Sequence, residues 1–215
     1  GAVIGDEAHL FKAVSLTKIM TKLVDCKYRI GMTGTLDDSK THKLVLQGLF
    51  GQVNKVVSSK ELIEKKQLAD LKIICIILKY NEQDSKSIRG VKYHEELKFI
   101  AQNEQRNKYI RNLALALNGN TLCLFQLVEK HGQHLYKLIK EKADKNRKVF
   151  FVYGGTDTRT REEIRAITER EDNAIIVASY GTFSTGINIR NLHNIVFSSP
   201  TKSPIRVLQL SLIHI

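Results

Sequence analysis

Short β-branched apolar runs alternate along this chain with longer stretches in which apolar residues recur every three or four positions. That patterning predicts parallel α/β layers. Ala2–Gly5 and Tyr28–Met32 read as strands, and Ser15–Lys27 reads as a helix with Leu16, Ile19, Met20 and Leu23 on one face. A helix over Lys40–Leu49, closed by Gly51, and a strand over Val53–Val57 are expected next. Ser58-Ser59-Lys60-Glu61 has the form of a capping box opening a short helix. Leu71–Tyr80 is strongly apolar and predicts a buried strand, and the polar stretch Asn81–Gly90 predicts an exposed loop. Helices over Tyr93–Ile100 and Gln105–Leu117 end at Asn118-Gly119-Asn120. The rhythm then restarts. Strand Thr121–Gln126 precedes helix Gln133–Lys142, and strand Lys148–Tyr153 precedes helix Thr158–Arg170. Strand Ala174–Ser179 leads into a Gly/Ser/Thr-rich loop, and Asn194–Ser198 is the last strand. The second block repeats the architecture of the first without its sequence, so two doubly wound parallel sheets are the simplest description.

Charge narrows the partners. Lys and Arg number 34 against 22 Asp and Glu, a formal surplus of +12. Such a surplus suggests a polyanion, with nucleic acid favoured over membrane; the competing explanation is a Lys-rich solubilising surface. With 2 Pro and 13 Gly the composition is not that of a disordered chain. Cys26, Cys75 and Cys123 lie far apart in apolar settings, which predicts buried, reduced thiols in a cytoplasmic protein rather than disulfides or a zinc site. No run has the length to span a membrane as a helix. His131 and His134, three apart on an expected helix, read as solvated histidines. The last six residues, 210–215, look foreign to the domain and read as a non-native tail.

The chemistry-bearing segment comes first. Asp6-Glu7-Ala8-His9 follows a short apolar run, so both carboxylates sit where a buried strand ends. At such an edge one carboxylate can hold hydrated Mg²⁺ and a second can polarise an attacking water. Gly154-Gly155-Thr156 lies between a strand and a helix start, where free amides could cradle a phosphate; a turn that simply needs Gly explains it as well. Arg159, Arg161 and Arg165 lie nearby, with Arg161 and Arg165 expected to pair with Glu162 and Glu169 on a solvated face.

Asp6–His9, Thr33-Gly34-Thr35 and Ile175–Ile189 resemble motifs II, III and V of superfamily 2 helicases of the DEAH type. The likeness, strongest to helicases of phage recombination and branch migration, runs from residue 1 to about Gln209. The resemblance implies two RecA-like domains, the first over 1–67 and the second over 68–209. It also implies an ATP-dependent enzyme, with ATP and Mg²⁺ as cofactors and branched or single-stranded DNA, gripped mainly by its backbone, as partner. Asp6 would be the Mg²⁺ ligand through water, Glu7 the base and His9 the link to Thr33, Gly34 and Thr35, which would couple nucleotide state to domain closure. Gly154, Gly155, Thr156, Thr182 and Thr185 would contact nucleic acid, and Gly186 and Asn188 the nucleotide. Asn188 stands where the family often has Asp, which weakens the expected ribose contact. No G-x-x-x-x-G-K-[ST] occurs, and the arginine-bearing motif VI expected near Gln209 is replaced by Leu210 onward. The expectation is therefore a part of a longer motor, truncated at the N-terminus of its first domain and the C-terminus of its second and unable to hydrolyse ATP by itself. Three alternatives stay open: the motor of a restriction or repair translocase, a non-hydrolysing DNA-binding module with a helicase fold, and RNA as substrate, since Asp-Glu-Ala-His alone does not separate RNA from DNA.

Overall fold

A computed structural model describes residues 1–11, 14–34, 36, 40–65, 72–183, 189 and 191–203. The chain divides into two compact units, built on Gly1–Leu68 and on Ala69–Lys202. In the first, β1 (Ala2–Gly5) pairs in parallel with β2 (Tyr28–Gly31), in register from Ala2 opposite Tyr28 to Gly5 opposite Gly31. Helix α1 (Val14–Lys22) makes the crossover that a parallel pair requires. Helix α2 (Lys40–Phe50) stops at Gly51, whose N–H returns to the Gln47 carbonyl at 2.8 Å. Helix α3 (Ser59–Glu64) opens with the expected capping box: Ser58 Oγ accepts the Glu61 N–H, and Glu61 accepts the Ser58 N–H.

In the second unit α4 (Glu82–Ser87), α5 (Tyr93–Gln102) and α6 (Glu104–Ala116) precede a four-stranded parallel sheet. Its order is β4 (Val149–Val152), β5 (Ile175–Ser179), β3 (Thr121–Phe125) and β6 (Asn194–Phe197). The central strands β3 and β5 are buried throughout, as parallel strands covered on both faces must be. Side chains alternate between two cores. Leu122, Leu124, Ile176 and Ala178 face Ile164 of α8 (Thr158–Arg170), while Cys123, Phe125, Ile175 and Val177 face α6 and α7 (Gln133–Lys142) through Ile110, Ala114, Leu135 and Ile139. Arg147 closes the C-terminus of α6 by donating to the carbonyls of Leu115 (2.6 Å), Leu117 (3.0 Å) and Ala114 (3.2 Å), a favourable place for a cation. No helix of the described residues is long and apolar enough to cross a membrane.

Several expectations are corrected. Val53–Val57 is not a strand: its residues are exposed, Val56 to 94%. The expected strand Leu71–Tyr80 also fails over 72–80, where Ile73, Ile74 and Ile77 are largely exposed; Leu71 lies outside the described residues. Neither segment has a neighbouring strand among the described residues, and β propensity is mainly the fit of a side chain to a neighbour on a pleated surface. Within the supposed loop Asn81–Gly90, α4 forms because Asn81 Oδ1 accepts the Asp84 N–H at 2.7 Å. Of the cysteines only Cys123 is buried, which raises its thiol pKa to about 12; Cys75 is exposed because 72–80 is, and Cys26 is intermediate.

Candidate functional site

The Asp6–His9 segment leaves the carboxyl end of β1 and is fastened to the segment leaving β2. Met32 N–H donates to Gly5 O and Ala8 N–H to Met32 O, both at 2.8 Å. Glu7 takes a left-handed backbone, φ 48° and ψ 46°, uncommon for a residue with a side chain, and its N–H donates to Asp6 Oδ1 at 2.8 Å. The strain turns the chain so that the Asp6 and Glu7 carboxylates are exposed while Ala8 and His9 are buried. His9 Nδ1 lies 2.9 Å from Thr33 Oγ1 and 3.2 Å from Glu7 Oε2, so one ring nitrogen joins the acidic turn to the segment after β2. Gly5 and Gly31, opposite each other at the strand ends, let an aromatic pair settle beneath this turn. A Cβ at either position would stand 2.9 Å from the Phe50 ring, which meets Phe11 edge-on at 5.2 Å. Gly34 follows Thr33 in an exposed bend, and Thr35 lies outside the described residues.

In the second unit the remaining described candidates gather at the carboxyl ends of β4 and β5, the edge where open α/β sheets bind ligands. Thr156 folds the turn after β4: its Oγ1 accepts the Tyr153 N–H (3.1 Å), and its own N–H donates to Tyr153 O (2.9 Å). Asp157 then caps α8, accepting the Thr160 hydroxyl (2.6 Å) and the Thr160 N–H (2.9 Å), and these hydrogen bonds lower its carboxyl pKa. Gly154 and Gly155 are exposed, and among the described residues their N–H groups have no protein acceptor. Thr182 sits in a single helical turn, α9 (Tyr180–Phe183), with its hydroxyl turned inward, 2.7 Å from Ser179 Oγ. Thr185, Gly186 and Asn188 lie outside the described residues, as does the 210–215 tail.

Two expectations about side chains change. Arg165 pairs with Glu162 and Glu169 as expected, but Arg161 donates to the carbonyls of Thr156 (2.8 Å) and Gly154 (3.4 Å). His131 is not solvated but fully buried, in a π-helical turn (Val128–Gly132). Its Nε2 lies 3.1 Å from Asn107 Oδ1 and its Nδ1 2.9 Å from Ser199 Oγ. Because Asn107 Nδ2 donates to Ala101 O, Asn107 Oδ1 faces His131; Nε2 therefore carries the proton and Nδ1 accepts from Ser199. Burial, aided by the Arg106 charge, lowers the His131 pKa to about 4. Ser199 also accepts the Gln126 N–H (3.1 Å), and its carbonyl accepts from Tyr180 OH (2.5 Å), so His131 is wired to the carboxyl ends of β3, β5 and β6. Nothing beside His131 in the sequence marks this role, because its partners come from 24 and 68 positions away. His134 is half-exposed and pairs with Glu104 at 2.7 Å.

No protein-family model matches this chain. It is 38% identical over 212 residues to the ATP-dependent DNA helicase uvsW of Enterobacteria phage T4, an alignment covering 97% of this chain and 41% of that protein. The crystal structure of T4 UvsW superposes with a TM-score of 0.59 at 34% identity, over 99% of this chain and 41% of the other. Dbp5 of S. cerevisiae, in a structure bound to RNA and ADP BeF3, superposes with a TM-score of 0.57 at 14% identity, over 99% of this chain and 49% of its own, a likeness of fold alone. The chain thus spans about two fifths of the length of the phage helicase it matches, is similar to it over nearly all of its own length, and has the parallel α/β fold of RecA-like helicase domains.

Proposed function

We propose that this chain serves ATP-driven translocation on DNA, its first unit carrying the carboxylates of nucleotide hydrolysis and its second gripping the sugar-phosphate backbone. The observation that carries the reading is the Asp6–His9 turn, held at the carboxyl end of a parallel strand with His9 bonded to Thr33. The exposed Asp6 and Glu7 carboxylates are hard oxygen donors and fit a hydrated Mg²⁺ and a water. Asp6 would hold Mg²⁺ through water, and the ion would neutralise charge on the terminal phosphates. Glu7 would accept a proton from the attacking water, its left-handed backbone fixing the direction of the carboxylate. Displacement of the γ-phosphate would be felt at Thr33, Gly34 and Thr35 through the His9 bond. In the second unit the Gly154 and Gly155 amides and Thr156 would face a DNA phosphate. The hydroxyl of Thr182 is committed to Ser179, so Thr182 would act through its backbone. Thr185 would join that contact, and Gly186 and Asn188 would serve the nucleotide. DNA rather than RNA is favoured by the identity with a DNA helicase.

Fluorescence anisotropy of this chain with labelled single-stranded and branched oligonucleotides tests the DNA half. Affinity is expected to be indifferent to sequence and to fall steeply between roughly 50 and 200 mM salt, as phosphate contacts release counterions. Binding to one preferred sequence with little salt dependence contradicts it.

A further inference from the structure

The geometry points to Arg161 as a positioning residue that shapes the turn Gly154–Thr156 for a backbone phosphate; this rests on the reading of that turn as a nucleic-acid contact. Three of the four arginines of α8 are accounted for without it. Arg165 binds Glu162 and Glu169, Arg159 binds Glu163 at 3.1 Å, and Arg170 lies in the last turn, where a cation is favoured. Arg161 lies at the opposite end, where a cation is disfavoured by the partial positive charge of the helix terminus. Its side chain runs back toward the N-terminus, as helical side chains do, and its guanidinium donates to Thr156 O (2.8 Å) and Gly154 O (3.4 Å).

The hydrogen bonds of the turn then sort by direction. The Tyr153 carbonyl takes the Thr156 N–H, and the Gly154 and Thr156 carbonyls take Arg161. The Tyr153 N–H goes to Thr156 Oγ1, leaving two consecutive exposed donors, Gly154 and Gly155, without a protein acceptor among the described residues. Three carbonyls already occupied and two consecutive amides left to donate suit an anion and not a cation. The flanking glycines differ in a useful way. A Cβ at Gly155 would stand 2.6 Å from the Tyr153 ring, so Gly155 holds the turn's shape, whereas a Cβ at Gly154 meets nothing within 4 Å. Space beside Gly154 is therefore not demanded by the fold and is open to a ligand.

The test compares Arg161→Met, which keeps the stem and removes the donors, with Arg161→Lys and Gly154→Val in the 215-residue chain. Amide shifts of Gly154, Gly155 and Thr156 are read by ¹⁵N NMR, urea unfolding checks the fold, and DNA affinity is measured across a salt series. Arg161→Met is expected to move all three amide shifts, keep the unfolding midpoint and weaken DNA binding by about 5- to 10-fold, the scale of one lost contact, with an unchanged salt slope. Arg161→Lys should behave like Arg161→Met, since an ammonium offers its donors from one point and lacks the separated Nε and Nη2 that reach the two carbonyls; native behaviour in Arg161→Lys would make charge alone responsible and overturn the role. Unmoved amides with native affinity, or a salt slope reduced by about one as for a direct phosphate ligand, also overturn it. Gly154→Val separates the two levels. If it weakens binding while Arg161→Met does not, the contact stands and the Arg161 role falls. If it binds DNA like the native chain, the contact reading fails and takes the proposal with it.

Discussion

Replacing Asn120 with Ala should destabilise the second unit by roughly 2–4 kcal/mol, an estimate built from the groups left unpaired. Asn120 is fully buried at the amino ends of β3, β5 and β6. Its Oδ1 accepts the Ala174 N–H (2.7 Å), and its Nδ2 reaches the carbonyls of Thr168 (2.9 Å), Glu171 (2.5 Å) and Asn191 (2.6 Å). Two of those carbonyls keep another donor after truncation: Thr168 O retains the Glu171 N–H, and Glu171 O retains Asn191 Nδ2. Among the described residues the Ala174 N–H and the Asn191 carbonyl do not. An orphaned buried polar group costs about 1–3 kcal/mol, and the Asn191 carbonyl, being only partly buried, recovers some of that from water. Urea unfolding followed by circular dichroism should show a midpoint lowered by about 1–2 M with the slope unchanged. Asn191→Ala removes only a shared donor on Glu171 O and should cost under about 1 kcal/mol. DNA affinity below the transition should be native, since Asn120 lies at the end of the sheet opposite Gly154–Thr156. A loss below about 1 kcal/mol for Asn120→Ala would refute the idea that this amide locks three elements together.

His131, buried and neutral with its pKa lowered to about 4, binds protons more readily when the chain is unfolded. Stability should therefore be full above about pH 6.5 and fall toward pH 4, by up to about 3 kcal/mol, with the dependence blunted in His131→Gln; unfolding curves across that range check it. In a protein that joins this chain to a phosphate-binding loop, Glu7→Gln should leave ATP binding intact and reduce turnover by at least about 100-fold. Native phosphate release from that variant would remove Glu7 from the role of base.

Much of the fold was legible because it rests on local patterning. Helix α8, the capping box at Ser58 and the strands β3 and β5 follow from residue spacing and from side chains that reach only a few positions along the chain. The strands β1 and β2 that lead into Asp6–His9 and Thr33 were legible in the same way, each being a short contiguous run. Where the outcome depended on a neighbour, the sequence misled. Lys72–Tyr80 has every local mark of a strand and is exposed, because a strand exists only beside another.

By itself the sequence determined most of the helices and the six strands that form among the described residues, which strand ends carry carboxylates or glycines, and the helicase likeness those segments bear. Only the tertiary structure decided which of those groups meet. It brought His9 to Thr33, turned Thr182 toward Ser179 and Arg161 toward its own turn, and buried His131 between Asn107 and Ser199. The reason is range. Periodicity and capping act over about one helical turn, whereas the energy of a buried polar group depends on partners that packing brings from tens of residues away.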